Sequence, residues 1–295
     1  MKVLVTGRDS QVAQSIAERW AGVDGIELVF AGRPQFDLAD PDTIRKTLRN
    51  AAPDVVVSAA AYTAVDLAED EPDLAARCNG VAPGMIAETC RELDARLIHL
   101  STDYVFPGTG DAPLTETDPT GPTGVYGQTK LDGENAIRDA WDKHVIARTA
   151  WVYSPFGKNF VKTMLRLAEG RDELTVVADQ FGNPTNALDI ADGLLACIAA
   201  WRADPAKGLG ETYHLAGTGH CSWCDFATHI MAVSADHGGP TATVRPITTA
   251  DFPTKARRPS NSRLDCSKFE AAFGYRAPEW RASSAAVVER LLTSA

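Results

Sequence analysis

The amino-acid sequence predicts an α/β protein built on a doubly wound parallel sheet, with a smaller, discontinuous α/β domain in its second half. Strand-like and helix-like segments alternate through residues 1–150, which is the order that a parallel sheet with crossover helices requires. The strand-like segments are continuous apolar runs rather than alternating ones, as expected for strands covered on both faces. We therefore expect a Rossmann-like sheet.

The first half supplies five strands and four helices. The predicted strands cover residues 2–6, 27–31, 54–58, 96–101 and 144–149. The predicted helices cover residues 11–20, 41–50, about 73–93 and about 126–139. In the first helix Val12 and Ile16 fall at helical spacing, with the small Ala13 and Ala17 on adjoining faces.

The pattern of elements changes after Ser154. Helices are predicted at 159–169, 188–201, 222–234 and 280–292, and strands at 174–178 and 211–216. No internal repeat or clear linker separates these segments, so we expect the second domain to be woven from separate parts of the chain.

Composition and charge restrict the partners of the chain. Its 295 residues are 44% hydrophobic and 23% charged, as in ordinary globular proteins. Acidic residues outnumber basic ones by 39 to 29, and this net charge of −10 argues against non-specific binding of nucleic acid. No stretch of about 20 apolar residues could span a membrane, and because no long apolar run follows the first residues we do not expect a secretory leader. Six scattered cysteines fit free thiols in the cytoplasm.

The turn after the first strand has the pattern of a dinucleotide site. Gly7, Ser10 and Ala13 fall at the spacing Gly-x-x-Gly-x-x-Gly, with two glycines replaced. Gly7 would make the tight turn, and the amides that open the helix would face a pyrophosphate. The Ser10 hydroxyl either donates to that phosphate or caps the helix. An ordinary strand–helix turn is the alternative interpretation.

The end of the second strand bears on the choice of cofactor. An acid there would bind the adenosine ribose of NAD, but the segment is Ala31-Gly32-Arg33. Arg33 would meet a 2′-phosphate, which favours NADPH over NADH, and a solvated surface arginine is the alternative. Asp37 and Leu38 follow and would contact the adenine.

Tyr126 and Lys130 are four residues apart at the start of a predicted helix, so they share one face. A phenol with a pKa near 10 is a poor acid–base group until something stabilises its anion. A lysine ammonium would do so and would hydrogen-bond the nicotinamide ribose. Thr102 ends the fourth strand, at the sheet edge where ligands of such folds bind.

Taken together, these motifs resemble the extended short-chain dehydrogenase/reductases, and among them the dTDP-4-dehydrorhamnose reductases. The resemblance covers nearly the whole chain. It is carried by Gly7…Ala13, the segments 59–66 (AAAYTAVD), 101–106 (STDYVF) and 126–130 (YGQTK), and the later segments 148–153 (RTAWVY), Asn159-Phe160, 179–185 (DQFGNPT) and 258–265 (RPSNSRLD).

The resemblance implies a reduction that completes dTDP-rhamnose biosynthesis. The 4-keto group of dTDP-4-dehydro-6-deoxy-L-mannose would accept hydride from NADPH or NADH and give dTDP-L-rhamnose. Tyr126 would be the general acid, Lys130 would lower its pKa and hold the cofactor ribose, and Thr102 would hydrogen-bond at the carbonyl end.

The resemblance also implies the binding residues and the domains. The cofactor would contact Gly7, Ser10, Gln11, Val12, Arg33, Asp37, Leu38, Ala61, Tyr62, Thr63, Tyr126 and Lys130. The sugar nucleotide would contact Thr102, Asp103, Trp151, Asn159, Arg258 and Arg263, the arginines suiting a diphosphate. Residues 1–153 and about 176–216 would form the dinucleotide-binding domain. Residues from about 154–175 and 217–295 would form the substrate-binding domain.

Two departures concern the subunit contacts of the family, which is sometimes described as a metal-dependent dimer with glutamates at the interface. Ser15 and Leu188-Asp189 stand where glutamates would be expected. This puts a Mg²⁺-bridged homodimer in doubt and favours a monomer without a metal site.

Cys221-Ser-Trp-Cys224 has metal-like or redox-like spacing but lacks a second pair, and Ser222 suits a helix cap.

Three alternative functions stay open from the sequence. One is a related nucleotide-sugar 4-ketoreductase or epimerase. The second is a dehydratase. Such an enzyme usually needs a pair of acids after the threonine of the fourth strand, whereas here Asp103 is followed by Tyr104. The third is a non-catalytic regulatory subunit that binds dinucleotide, although such relatives tend to lose the Tyr–Lys pair that this chain has.

Overall fold

The structure is a computed structural model that describes residues 1–293. Its strands are β1 Lys2–Thr6, β2 Glu27–Ala31, β3 Val55–Ser58, β4 Arg96–Thr102, β5 His144–Thr149, β6 Val152–Tyr153, β7 Glu173–Val177, β8 Phe181–Gly182, β9 Thr185–Asn186, β10 Glu211–His214, β11 Cys221–Ser222, β12 Thr243–Ile247 and β13 Asn261–Ser262. Six of them form the central sheet in the order β10-β5-β4-β3-β1-β2, and all neighbours are parallel.

The helices cover both faces of this sheet and the second half of the chain. They are α1 Gln11–Arg19, α2 Pro41–Ala51, α3 Val65–Ala68, α4 Pro72–Ala75, α5 Ala82–Leu93, α6 Val125–Ala140, α7 Phe160–Ala168, α8 Ala187–Ala203, α9 Trp223–Asp236, α10 Ser267–Phe273 and α11 Trp280–Thr293. A π-helical stretch, Ala76–Val81, joins α4 to α5, and single 3₁₀ turns lie at Asp103–Val105 and Thr249–Asp251. None of the helices described is long and apolar enough to cross a membrane.

Of the four hydrophobic cores in residues 1–293, three follow from these layers, and a smaller one contains Phe106 and Leu264. One lies between the central sheet and helices α1 and α8, and includes Ile16, Ile190 and Trp201. Another lies on the opposite sheet face, under α2 and α5, around Ile44 and Ile86. The last joins α7, α9 and α11 to the separate β7–β12 pair.

The parallel sheet and its crossover helices confirm the predicted fold class, and most predicted elements occur with small changes of boundary. The single helix predicted at about 73–93 is divided into α4, the π-helical stretch and α5. The strand predicted at 211–216 ends at His214. The short helix α10 and strand β12 were not predicted, and Phe269 and Phe273 of α10 pack into the first core. The division into two domains stays a prediction.

Candidate active site

A cleft of about 650 Å³ opens where β1, β2 and β3 end. Parallel sheets bind ligands at this edge because the loops after the strands converge there. Eight of the predicted cofactor residues line it, namely Gly7, Ser10, Arg33, Asp37, Leu38, Ala61, Tyr62 and Thr63. The walls of the cleft are therefore formed by the loops that follow three strands far apart in the sequence.

The turn after β1 brings two loops into close contact. Gly7 has a φ of +75°, and a Cβ atom there would lie 3.1 Å from Ala60 Cα. Glycine is therefore the residue that permits both the left-handed backbone and the approach. Ser10 is the N-cap of α1, and its Oγ accepts a hydrogen bond from Ala13 N at 3.2 Å. Of the two roles considered for this hydroxyl, the structure shows the cap.

Gln11 and Val12 lie away from the cleft wall. Val12 is buried in the first core. The Gln11 Oε1 atom accepts hydrogen bonds from Ser154 Oγ at 2.8 Å and from Asn159 Nδ2 at 3.0 Å. The Gln11 side chain thus ties the start of α1 to the second half of the chain, and its predicted place at a pyrophosphate stays a prediction.

Two arginines border the far end of the cleft. Arg33 is exposed just after β2, and Arg8 lines the same cleft. Arg8 N donates to Ala31 O at 3.1 Å, and a Cβ atom on Gly32 would lie 3.2 Å from Arg8 Cβ. The sequence-based reasoning missed Arg8, although its place directly after the turn glycine puts it at the strand end. Arg8 Nε lies 3.6 Å from Asp9 Oδ1, so among the described residues Arg33 is the guanidinium at this end that is exposed and free to meet an anionic ligand.

The loop after β3 is held rigidly along the cleft. Thr6 Oγ1 accepts hydrogen bonds from Ala59 N and Ala60 N, each at 3.0 Å. Asn79, in the π-helical stretch, accepts from Tyr62 N and donates to Tyr62 O, both at 2.9 Å. These bonds satisfy backbone groups that would otherwise lie unpaired in a partly buried loop.

Tyr126 stands in the first turn of α6, beside the end of β4. Its ring packs edge-on against Tyr104 with 5.5 Å between centroids. Burial raises the pKa of the Tyr126 phenol above its ordinary value, while a hydrogen bond with Thr102 lowers it. Thr102 Oγ1 donates to Asp103 Oδ1 at 2.9 Å, and burial raises the pKa of that carboxyl to about 6.

Two features hold α6 in place against β4. A Cβ atom on Gly127 would lie 2.2 Å from Tyr104 O, so only glycine allows the helix to approach this closely. Glu69 Oε1 accepts a hydrogen bond from Val125 N at 2.9 Å. A carboxylate at a helix N-terminus satisfies a free amide and favours the helix dipole. Glu69 was not among the predicted site residues.

Lys130 is buried one turn after Tyr126. Its Nζ donates to Leu100 O at 2.7 Å and lies 3.1 Å from His99 Nε2. Burial lowers the pKa of Lys130 to about 8, and the nearby Glu134 carboxylate raises it. The pKa of Tyr126 is shifted chiefly by burial, and also by Thr102, Asp103 and Tyr104. The predicted effect of Lys130 on the phenol stays a prediction.

The two late arginines have different surroundings. Arg258 Nη1 donates to Tyr104 Oη at 3.0 Å, and its Nη2 is bonded to Asp66 of α3. The Arg263 guanidinium donates to Asn261 Oδ1 at 2.8 Å and lies over the Phe181 ring. Arg258 therefore lies next to the Tyr126 cluster, whereas Arg263 lies beside β8.

Trp151 belongs to an aromatic stack in the second half of the chain. Its backbone has a φ of +48°, and its indole stacks on Trp223 with centroids 3.5 Å apart and planes within 10°. A non-glycine residue in this left-handed region is uncommon and indicates local strain. Asn159 caps α7 by accepting from Lys162 N at 3.2 Å. The structure shows the Asn159 amide in structural bonds, and its predicted substrate contact stays a prediction.

Neither the cysteine pair nor the predicted subunit positions form a metal cluster in residues 1–293. Cys221 and Cys224 are free and buried, and Ser222 between them caps α9 with Asp225 in a reciprocal capping box. Ser15 is buried in α1, while Asp189 accepts a hydrogen bond from Ser283.

Comparisons with known proteins agree over the whole chain. A family model described as "RmlD substrate binding domain" matches residues 1–293. A dTDP-4-dehydrorhamnose reductase from Sinorhizobium fredii is 45% identical over 292 residues, which is 99% of this chain and 98% of the relative. A crystal structure of a dTDP-4-dehydrorhamnose reductase from Clostridium acetobutylicum, 36% identical, superposes with a TM-score of 0.91 over 99% of each chain. The Bacillus anthracis reductase in complex with NADP is 30% identical, with a TM-score of 0.88 over 100% of this chain and 99% of that one.

Proposed function

The chain belongs to the dTDP-4-dehydrorhamnose reductase family, and from that membership we infer that it is an NAD(P)H-dependent oxidoreductase of dTDP-rhamnose biosynthesis. It reduces the 4-keto group of dTDP-4-dehydrorhamnose to give dTDP-L-rhamnose. The observation that carries this inference is the group formed by Tyr126, Thr102 and Lys130 at the end of β4. It stands on the same sheet edge as the cleft beside β1–β3.

The residues of the cleft fit a dinucleotide. Gly7 opens a turn that no side chain obstructs, and the loop from Ala59 to Thr63 is fixed along one wall. The exposed Arg33, with Arg8 beside the same strand end, suits the 2′-phosphate of NADPH, so we expect NADPH to be preferred to NADH. When bound, this cofactor supplies the hydride.

The proton for the reduction is donated by a side chain of the protein. A carbonyl carbon that accepts hydride leaves negative charge on its oxygen, and a donor of suitable pKa must neutralise it. We assign this role to the Tyr126 phenol, whose ring is held by edge-on packing against Tyr104. Lys130, anchored to Leu100 O, is placed to hold the nicotinamide ribose. Asp103 and Thr102 then face the sugar.

The second half of the chain would bind the sugar nucleotide. The aromatic surface of Trp151 suits the face of a base or a sugar. The guanidinium groups of Arg258 and Arg263 suit a diphosphate. We propose that residues 1–153 and about 176–216 bind the cofactor, and that the third core, around α7 and α9, supports the sugar nucleotide.

Two other functions explain the site less well. In a dehydratase the position after Asp103 would be acidic, whereas here Tyr104 stands there and is bonded to Arg258. A regulatory subunit would not need the buried Lys130 beside Tyr126. We further propose that the enzyme is cytoplasmic, since all six cysteines are free thiols, as reducing conditions favour. We propose that it is a monomer, since Ser15 and Leu188-Asp189 stand where the interface glutamates of the family would be expected.

The test is oxidation of NADPH by the purified protein with dTDP-4-dehydrorhamnose generated in situ. We expect turnover, and we expect the product to be dTDP-L-rhamnose by chromatography and NMR. The UDP-linked 4-keto sugar serves as the matched control for the nucleotide. NADPH binding without turnover of either sugar would indicate the regulatory alternative and refute the proposal.

A further inference from the structure

A buried hydrogen-bonded chain lies behind Lys130. His99 on β4 is 1% exposed and stands opposite Ser58 on β3 in the sheet register. Its Nε2 atom is 3.1 Å from Lys130 Nζ, and its Nδ1 atom is 3.1 Å from Ser58 Oγ. The three side chains thus form one continuous path from α6 into the centre of the sheet.

The chemistry of the lysine fixes the direction of these bonds. An ammonium group only donates hydrogen bonds, so His99 Nε2 must be an unprotonated acceptor while Lys130 is charged. The ring proton of neutral histidine then resides on Nδ1 and is donated to Ser58 Oγ. Burial and the Lys130 charge both lower the pKa of His99 well below its ordinary value, so the ring remains neutral.

The geometry therefore accounts for two of the three N–H bonds of Lys130. One is donated to Leu100 O at 2.7 Å and one to His99 Nε2. The ammonium is fixed by these two hydrogen bonds and by its bond to the rest of the side chain, so the third N–H can point in only one direction. No partner for this third N–H is found among the described residues, and the proposed function assigns it to the cofactor ribose.

We propose that His99 is a positioning residue that orients the Lys130 ammonium by accepting its hydrogen bond through Nε2, with Ser58 fixing the tautomer. This rests on the proposed function, because it assigns Lys130 to the reaction. The other groups that face this pair are Glu134 of α6, which favours the charged lysine, and His144 of β5, which disfavours a charged His99.

The first test is the pH dependence of kcat in two matched variants. His99→Leu removes the acceptor, so the charged form of Lys130 loses a hydrogen bond and the alkaline limb should move down by about one pH unit. His99→Gln offers an amide oxygen at the same distance along the side chain, and we expect it to restore the wild-type limb. Superimposable profiles for the wild type and His99→Leu would overturn the proposal, as would equal shifts in both variants.

The second test uses the intact wild-type protein and does not depend on activity. ¹⁵N-histidine NMR distinguishes the two neutral tautomers, and the His99 resonances are assigned by their loss in His99→Gln. We expect the Nδ1–H tautomer below about pH 8, where Lys130 is charged. An Nε2–H tautomer would refute the proposal, because that nitrogen could not accept from lysine. Failure of the wild type to reduce the sugar would instead refute the proposed function, and the tautomer would still decide the hydrogen bond.

Discussion

The ion pair between Glu134 and Arg148 gives the sharpest stability prediction. Glu134 is fully buried on α6, and its Oε1 and Oε2 accept from Arg148 Nε at 2.9 Å and Nη2 at 2.6 Å. The Arg148 side chain is 3% exposed and lies over the Phe106 ring. Glu134→Gln removes the negative charge but keeps the size of the side chain, so it leaves a guanidinium buried without a counter-charge.

The magnitude follows from this burial. Removing one partner of a buried pair costs about 3–5 kcal/mol, because the remaining charge is uncompensated. We expect the lower end, about 3 kcal/mol, because the glutamine oxygen still accepts one hydrogen bond. Since proteins are stable by about 5–15 kcal/mol, this is a large fraction of the free energy of unfolding.

Arg138 provides the matched control. It donates to the same Glu134 Oε2 at 2.8 Å, but its side chain is 34% exposed. Arg138→Ala should therefore cost about 1 kcal/mol or less. The free energies of unfolding are measured by urea titration of tryptophan fluorescence. If Glu134→Gln lost no more stability than Arg138→Ala, the argument from the uncompensated buried charge would be refuted.

The same pair predicts a pH dependence of stability. Burial raises the pKa of Glu134, but its hydrogen bonds with Arg148 and the Arg148 charge outweigh this, so the pKa is lower than the ordinary 4.5. A carboxyl whose pKa falls on folding contributes stability above its unfolded pKa, and this is lost as the pH falls through the folded value. The difference between the wild type and Glu134→Gln should therefore shrink below about pH 4.5.

Four further predictions concern catalysis and binding. Tyr126→Phe should lower kcat by on the order of 10²-fold or more with nucleotide binding kept, and an unimpaired rate would remove the phenol from the reaction. Because burial lowers the pKa of Lys130 to about 8, kcat should fall as the pH rises through that value, and a flat profile to pH 10 would contradict this. Arg33→Ala should weaken NADPH more than NADH in binding titrations, whereas equal losses would exclude contact with the 2′-phosphate. Arg258→Lys should raise KM for the sugar nucleotide about tenfold or more, since a point charge cannot replace the fork that holds Asp66 and Tyr104; an unchanged KM would show that the fork is dispensable.

The sheet could be predicted from the sequence because its strands are apolar runs separated by helices of regular period. The short strands β6, β8, β9, β11 and β13 could not, since each has two residues and exists only through distant partners. Strand β12 contains Pro246 and is mostly exposed, so it carries no apolar run. Helix α10 is seven residues long, and its burial depends on α8 and β10 rather than on its own pattern.

The site residues divide in the same way. Tyr126, Lys130 and Thr102 could be found because the fourth strand and the following helix place them at one sheet edge. His99 and Glu69 could not, because their importance lies in partners that are 31 and 56 positions away in the chain. Gln11 and Asn159 were assigned to ligands from the resemblance, but the structure shows their amides bonded to each other. The sequence does not show whether the hydrogen-bonding groups of a polar side chain near a site already have partners within the protein.

Arg258 shows how a structural bond and a binding role can coexist. The loop that carries it contacts the first half of the chain through Ala256 N to Asp66 Oδ1 at 3.0 Å, Lys255 to Asp70, and Arg258 to both Asp66 and Tyr104. A guanidinium has five N–H groups, and among the described residues Arg258 uses one on each terminal nitrogen, for Tyr104 and Asp66. Three N–H groups are left, enough for a bidentate contact with a phosphate. The ion pair with Asp66 therefore orients Arg258 and leaves these N–H groups available, next to Tyr104, whose ring packs against Tyr126.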